Sequence, residues 1–241
     1  MTIWILTLFP QIFERVFTQS IIKRAQDRKL VEIKIINIRD FATDRHKSVD
    51  DKPYGGGRGM VLRVDITIGA LESIGPKPYT ILLSAAGTKY NQRKALTLAK
   101  KKKVALICGH YEGVDARVEE FVDETISIGD FVLTGGEIAA MTIVDSVVRL
   151  IPGVIHPKSL KSESFSLGFP SSPTLSAAFE YPQYTRPEKF KGLKVPPVLL
   201  TGNHQKIAKW RKQQAIKRTR KWRPDLLFNI KNSLPRQAKR G

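Results

Sequence analysis

SIGDFVLTGGE, residues 127 to 137, joins a short β-branched run (Thr125 to Ile128) to a helix with clear periodicity. In that helix Met141, Val144, Val148 and Ile151 recur at helical spacing and form one apolar face, which Pro152-Gly153 ends. Such a face suits either a core or a subunit contact. Strand, glycine-rich turn and helix make the repeating unit of an α/β sheet, and the unit recurs upstream. CGHYEG (108 to 113) follows the apolar run Val104 to Cys108, and LSAAG (83 to 87) closes the run Tyr79 to Leu83. Strand ends of this kind, in one parallel sheet, lie side by side. Open α/β sheets bind their ligands there, outside the carboxyl ends of the strands.

Working outward, Ile3 to Leu8 and Val31 to Ile38 read as further strands. Ile12 to Lys29, the lysine-rich Asn91 to Lys103, and a stretch near Val114 to Phe121 read as helices. The expectation is an α/β domain with a mainly parallel sheet and helices on both faces, over residues 1–158. Residues 159–178 are rich in Ser, Pro and Gly and read as a flexible interdomain linker. Residues 179–241 would form a small basic helical domain. Asn203 is placed to cap a basic helix running to about Arg220, and Trp210 and Trp222 are expected in that domain's core.

Charge sharpens the division. The formal net charge is +19, and from Asn203 to Gly241 thirteen basic residues face one acid, Asp225. An evenly basic surface would not concentrate charge in this way; a module that binds a polyanion would. Cys108 is the only cysteine, so no intramolecular disulfide can form, and four histidines add little prospect of a dedicated metal site. The start, MTIWILTLFPQIFERVF, lacks a basic leader and a cleavage site, and no apolar run approaches membrane-spanning length. These features predict a cytoplasmic protein without membrane contact.

PYGGGRGM (53 to 60) invites comparison with a phosphate cradle. Its glycines at 55, 56, 57 and 59 miss the G-x-G-x-x-G spacing, no clear strand leads into them, and no G-x-x-x-x-G-K-[ST] occurs. It reads as a plain tight turn or as a mobile loop whose Arg58 could meet an RNA phosphate.

The blocks RDF..DRHKSVDDKPYGGGRGM, CGHYEGVDARV, SIGDFVLTGGE with AMTIVDSVVRLIPGV, and QYTRPE with VPPVLLTGNH closely resemble the bacterial tRNA (guanine-37-N1)-methyltransferases. They cover most of the chain in the family's order. The resemblance implies a SPOUT-like class, with the C-terminal part of the α/β domain tied in a trefoil knot. It implies S-adenosylmethionine as cofactor, held by Leu82, Leu83, Ser84, Gly109, Tyr111, Glu112, Ser127, Ile128, Gly129, Asp130, Phe131, Val132, Leu133, Gly135 and Gly136. It further implies tRNA as partner and a homodimer whose sites are shared between subunits. The family's link to Mg²⁺ makes that ion a candidate, although no carboxylate cage stands out in the sequence.

The reaction moves a methyl group to N1 of guanine, which carries a proton at neutral pH. It needs a base beside N1 and a cation or donor at O6. The family's base lies in an Asp-Ser-Phe triplet, which here reads Glu163-Ser164-Phe165; Glu keeps the carboxylate and adds a methylene. The O6 partner maps to Arg149, which would also suit the helix C-terminus. Glu180 maps to a second carboxylate that contacts the guanine. His46, Asp50, Lys52, Arg58 and Gly59 are expected tRNA contacts. Methylation at another RNA position, and an RNA-binding protein without catalysis, are the alternatives.

Overall fold

The structure, a computed structural model, describes residues 1–161, 163–165 and 179–228. The chain divides into two compact units, Met1–His156 and Pro157–Gly241.

The first unit opens with strand β1 (Thr2–Thr7), a 3-10 turn (Pro10–Phe13), helices α1 (Glu14–Phe17) and α2 (Ser20–Asp27), and strand β2 (Glu32–Asn37). A small antiparallel pair follows, β3 (Asp50–Asp51) with β4 (Val61–Leu62), then α3 (Val64–Glu72) and β5 (Tyr79–Lys89). Next come α4 (Gln92–Leu98), β6 (Lys103–Cys108), a 3-10 turn (Ala116–Phe121), β7 (Glu124–Ser127) and α5 (Glu137–Val148). The main sheet has the order β2-β1-β6-β5-β7, and every neighbouring pair in it is parallel.

Strand alternation builds a core on each face of this sheet. Ile3, Ile5, Ile81, Leu83, Val104, Leu106 and Cys108 point to one face, where α2, α4 and α5 supply Ile22, Leu98, Ile143 and Val147. Trp4, Leu6, Leu82, Ala105 and Ile107 point to the other, against Ile66 and Leu71 of α3. Helices therefore cover both faces. The apolar stripe of α5 is core: Val144 and Val148 are fully buried, and Met141 packs against them, half-buried. That stripe is not available to a second subunit.

The expected helix from Ile12 to Lys29 is broken. Gln19 is extended and Ser20 takes a positive φ of 51°, so α1 and α2 are separate pieces. β5 runs past Leu83: after a register shift, Thr88 and Lys89 pair with Ile126 and Ser127. Gly87 makes this possible, since a Cβ there would lie 2.5 Å from the Ile126 backbone.

The second unit contains α6 (Pro157–Lys161), a short antiparallel hairpin of β8 (Lys189–Phe190) and β9 (Leu193–Lys194), α7 (His204–Trp222) and α8 (Asp225–Phe228). It carries a short hairpin besides its helices. Asn203 caps α7, its side chain accepting from the Lys206 amide at 3.0 Å. Ile207, Trp210, Gln214, Ala215 and Thr219 share the less exposed face of that helix, while its lysines and arginines crowd the rest. Trp222 is 64% exposed, beneath the Lys221 ammonium, and is not a core residue. Most of the expected linker, 162 and 166–178, lies outside the described residues.

Candidate active site

Where β5 passes its register shift, beside the carboxyl ends of β6 and β7, a cleft of about 310 Å³ opens. It is lined by Leu82, Leu83 and Ser84 from the middle of β5, by Gly109, Tyr111 and Glu112 from the loop after β6, and by Ser127 at the end of β7 with Ile128, Gly129, Phe131, Val132, Leu133, Gly135 and Gly136 from the loop after it. Of the residues expected there, only Asp130 is absent from the lining; it pairs with Lys89 at 2.7 Å on the surface.

The loops lock together through main chain. The Gly136 amide donates to the Gly109 carbonyl at 2.8 Å, and a Cβ on Gly136 would meet the Cys108 Cα at 2.7 Å. Glycine is required at this approach for space, because its own φ of −77° is ordinary. Tyr111 holds a positive φ of 59°, an uncommon conformation for a bulky residue and of the kind that gathers at functional sites.

Sequence reading missed the residues behind the wall. Glu137 is 4% exposed and accepts from the Thr7 hydroxyl at 2.8 Å. His110 lines the cleft, its Nδ1 buried 4.0 Å from the Glu137 carboxylate, its ring against Phe9 and Tyr111. Both stand inside the quoted motifs, but nothing in a motif announces that a glutamate is buried. Burial, with the Glu137 charge nearby, pushes the Cys108 thiol well above its usual titration range.

Among the described residues, the lining includes Glu112 and Glu119 and holds no lysine or arginine. A phosphate cradle would have the opposite sign. This cleft suits a ligand with an apolar ring and a positive centre.

The glycine loop ends against it. The Glu112 amide donates to the Met60 carbonyl at 3.1 Å, and the Leu62 amide donates to Gly113 at 3.0 Å. Gly59 takes a φ of 75°, which favours glycine, and lies against the exposed Glu112 side chain. Lys52, Arg58 and Gly59 are exposed in the loop, as is His46 upstream, and Asp50 is half-buried in β3. Arg149 is the C-cap of α5, half-buried, where a cation is favoured by the helix dipole.

In the second unit, the Glu180 amide donates to Ser164 Oγ at 3.1 Å, and the Phe165 and Phe179 rings meet edge-on at 5.7 Å. Arg218 of α7 donates to the Glu180 carbonyl at 3.2 Å, and Thr219 Oγ1 accepts from the Phe179 amide at 2.8 Å. The Glu163-Ser164-Phe165 triplet and Glu180 are therefore neighbours, with Glu180 held to the basic helix. Among the described residues no group of three or more His, Cys, Asp or Glu could hold a metal ion, and no helix is long and apolar enough to cross a membrane.

Comparison with known proteins bears directly on this arrangement. The family model of the tRNA (Guanine-1)-methyltransferase TrmD matches residues 1–229. A tRNA (guanine-N(1)-)-methyltransferase of Dictyoglomus turgidum is 52% identical over 225 residues, covering 92% of this chain and 88% of the relative. The corresponding protein of Carboxydothermus hydrogenoformans is 53% identical over 231 residues, covering 94% and 87%.

The chain belongs to this family.

As a tRNA (guanine-N1)-methyltransferase it is an enzyme that uses S-adenosylmethionine to methylate N1 of a guanine in tRNA. The same match corrects one expectation. The fold is the α/β fold of the tRNA (Guanine-1)-methyltransferase family, in place of the SPOUT-like class that the resemblance had implied.

Proposed function

We propose that the cleft beside the middle of β5 and the ends of β6 and β7 is the S-adenosylmethionine site, and that the target is guanine-37 of the anticodon loop. The observation that carries the first part is the sign of the cleft: glycine-rich walls with Glu112 and Glu119 and, among the described residues, without lysine or arginine. Such walls favour a sulfonium over a phosphate, and glycine lets main-chain groups reach the edges of an adenine. When bound, S-adenosylmethionine supplies an electrophilic methyl group.

In this reading, the chain's own residues make N1 nucleophilic. Glu163 takes the N1 proton, and Arg149 stabilises the negative charge that grows at O6. Glu180 contacts the guanine; its attachment beside Ser164 supports a joint role with Glu163. His46, Asp50, Lys52, Arg58 and Gly59 receive the tRNA, and residues 179–241 grip its phosphates through α7. The enzyme works as a homodimer whose sites draw on both subunits. Phe9, Ile12, Val16 and Ile138, each 39–48% exposed, offer the apolar surface for that contact.

The test is methyl transfer to unmodified tRNA transcripts with guanine or adenine at position 37. Product that does not depend on guanine-37 refutes the substrate assignment. Glu163→Gln is expected to lower kcat by about 10²-fold or more at unchanged S-adenosylmethionine affinity; a wild-type rate would remove Glu163 from the base role.

A further inference from the structure

The parallel sheet has a second end, and its charge is unlike that of the cleft. Four strands begin side by side in the order β2-β1-β6-β5. Arg28 and Lys29 precede β2, and the Met1 ammonium opens β1, donating to the Leu30 carbonyl at 3.1 Å. Lys100, Lys101, Lys102 and Lys103 lead into β6, and Lys77 precedes β5. The strands are tied at this edge, since the Thr2 amide donates to the Lys102 carbonyl at 2.9 Å. At about 4.8 Å between neighbours, the four starts make a cationic row on the order of 14 Å long.

The row is not neutralised locally. Among the described residues, Lys29, Lys77, Lys100, Lys102 and Lys103 make no ion pair, and all are exposed. Lys101 lies 4.1 Å over the Tyr79 ring. The acids around them are engaged elsewhere: Asp27 with Lys23, Glu32 with Lys34, Glu124 with Lys94, and Asp123 with the Thr80 amide. Glu72 at the end of α3 is the exposed exception. The apolar residues of this edge, Met1, Leu30, Val31, Ile74, Pro78 and Tyr79, are buried or half-buried. A rim that is cationic without an apolar anchor fits a polyanion, not a protein hot spot or an inserted membrane surface.

We propose that this lysine edge is a second RNA-binding surface, which holds a stretch of phosphate backbone away from the methylated guanine. It stands one strand-length from the cleft, about 17 Å along β6. It adds affinity without touching the chemistry, and its contribution is salt-dependent.

The experiment uses the full chain and an unmodified tRNA transcript, with affinity measured by filter binding across a salt series. The combined variant Lys77→Gln, Lys100→Gln, Lys102→Gln, Lys103→Gln is expected to bind about tenfold more weakly at fixed salt. Its plot of log affinity against log salt becomes shallower by roughly 2–3. The S-adenosylmethionine affinity and the rate at saturating tRNA stay at wild-type values, and the four Lys→Arg replacements restore the slope. An unchanged slope in a folded variant overturns the proposal. So does an arginine variant as weak as the glutamine one. Loss of binding to anionic lipid vesicles with RNA binding intact would assign the surface to a membrane and overturn it as well.

Discussion

Replacing Gly136 by alanine probes whether the cleft depends on the contact between the loops after β6 and β7. The residue has φ −77° and ψ −7°, a conformation open to alanine, so the test isolates space from backbone strain. The new methyl would lie 2.7 Å from Cys108 Cα, 3.0 Å from the Gly109 nitrogen and 3.1 Å from Cys108 Cβ. These are main-chain atoms, or Cβ, of a buried strand end and cannot swing aside. The start of α5 must retreat, stretching the 2.8 Å bond from the Gly136 amide to Gly109. Overpacking of this kind costs about 1–3 kcal/mol. For a unit of this size each kcal/mol moves the melting temperature by about 2–4 °C, so a fall of roughly 2–12 °C is expected in a thermal scan. The opening also misplaces the main-chain groups of Gly109 and Gly135 that face the cleft. On the proposed cofactor assignment, loss of one main-chain hydrogen bond to the cofactor, at about 1 kcal/mol, lowers S-adenosylmethionine affinity several-fold. Calorimetric titration reads that loss directly. A Gly136→Ala protein that melts within a degree of wild type and binds S-adenosylmethionine within twofold would refute the reasoning, because the loops would then be free to separate at no cost.

The same substitution at Gly69 should have the opposite sign. Gly69 lies within α3, where a Cβ would meet only the Phe41 Cβ at 4.0 Å, and alanine there should stabilise by about 0.5–1 kcal/mol in denaturant titration. Asn203→Ala removes the acceptor of the Lys206 amide and should cost about 1 kcal/mol of helix stability; the reading requires weaker tRNA binding with S-adenosylmethionine binding intact. Burial raises the Cys108 thiol, so folding favours its neutral form. That contribution is fully present below the unfolded thiol's titration and is lost as pH rises through the higher folded value, so stability should fall on the alkaline side. Alkylation of Cys108 should correspondingly require unfolding, and rapid labelling of the native protein would contradict its burial.

Much of the first unit is legible in the sequence because a parallel sheet buried on both faces writes its strands as apolar runs. Val104 to Cys108 and Ile3 to Leu8 identify themselves in this way, and the glycine-rich stretches after Val104 to Cys108 and after Thr125 to Ile128 locate the cleft. α3 escapes the same reading for a physical reason. Ile66, Thr67, Ile68, Ala70 and Leu71 are all buried, so the helix has little amphipathic contrast, and Gly69 interrupts it. The break at Gln19-Ser20 is marked by neither proline nor glycine. β3 with β4, and β8 with β9, are too short to carry a period at all.

The glycines show how far a motif can be taken. The spacing in PYGGGRGM excludes a nucleotide cradle, yet spacing does not reveal that Gly59 holds a φ of 75°, which favours glycine, beside the Glu112 side chain on the cleft wall. In GGE the last letter matters as much as the glycines. Gly135 leaves room for Glu137 to reach Thr7 behind it; a Cβ on Gly135 would collide with the carboxylate and with His110. The pattern of small residues thus records two constraints at once, a wall thin enough for a ligand to meet main chain and a buried acid packed against its back. Sequence exposes the first because ligand loops have a recognisable place at strand ends. The second depends on which side chain lies across the sheet, and only the fold supplies that.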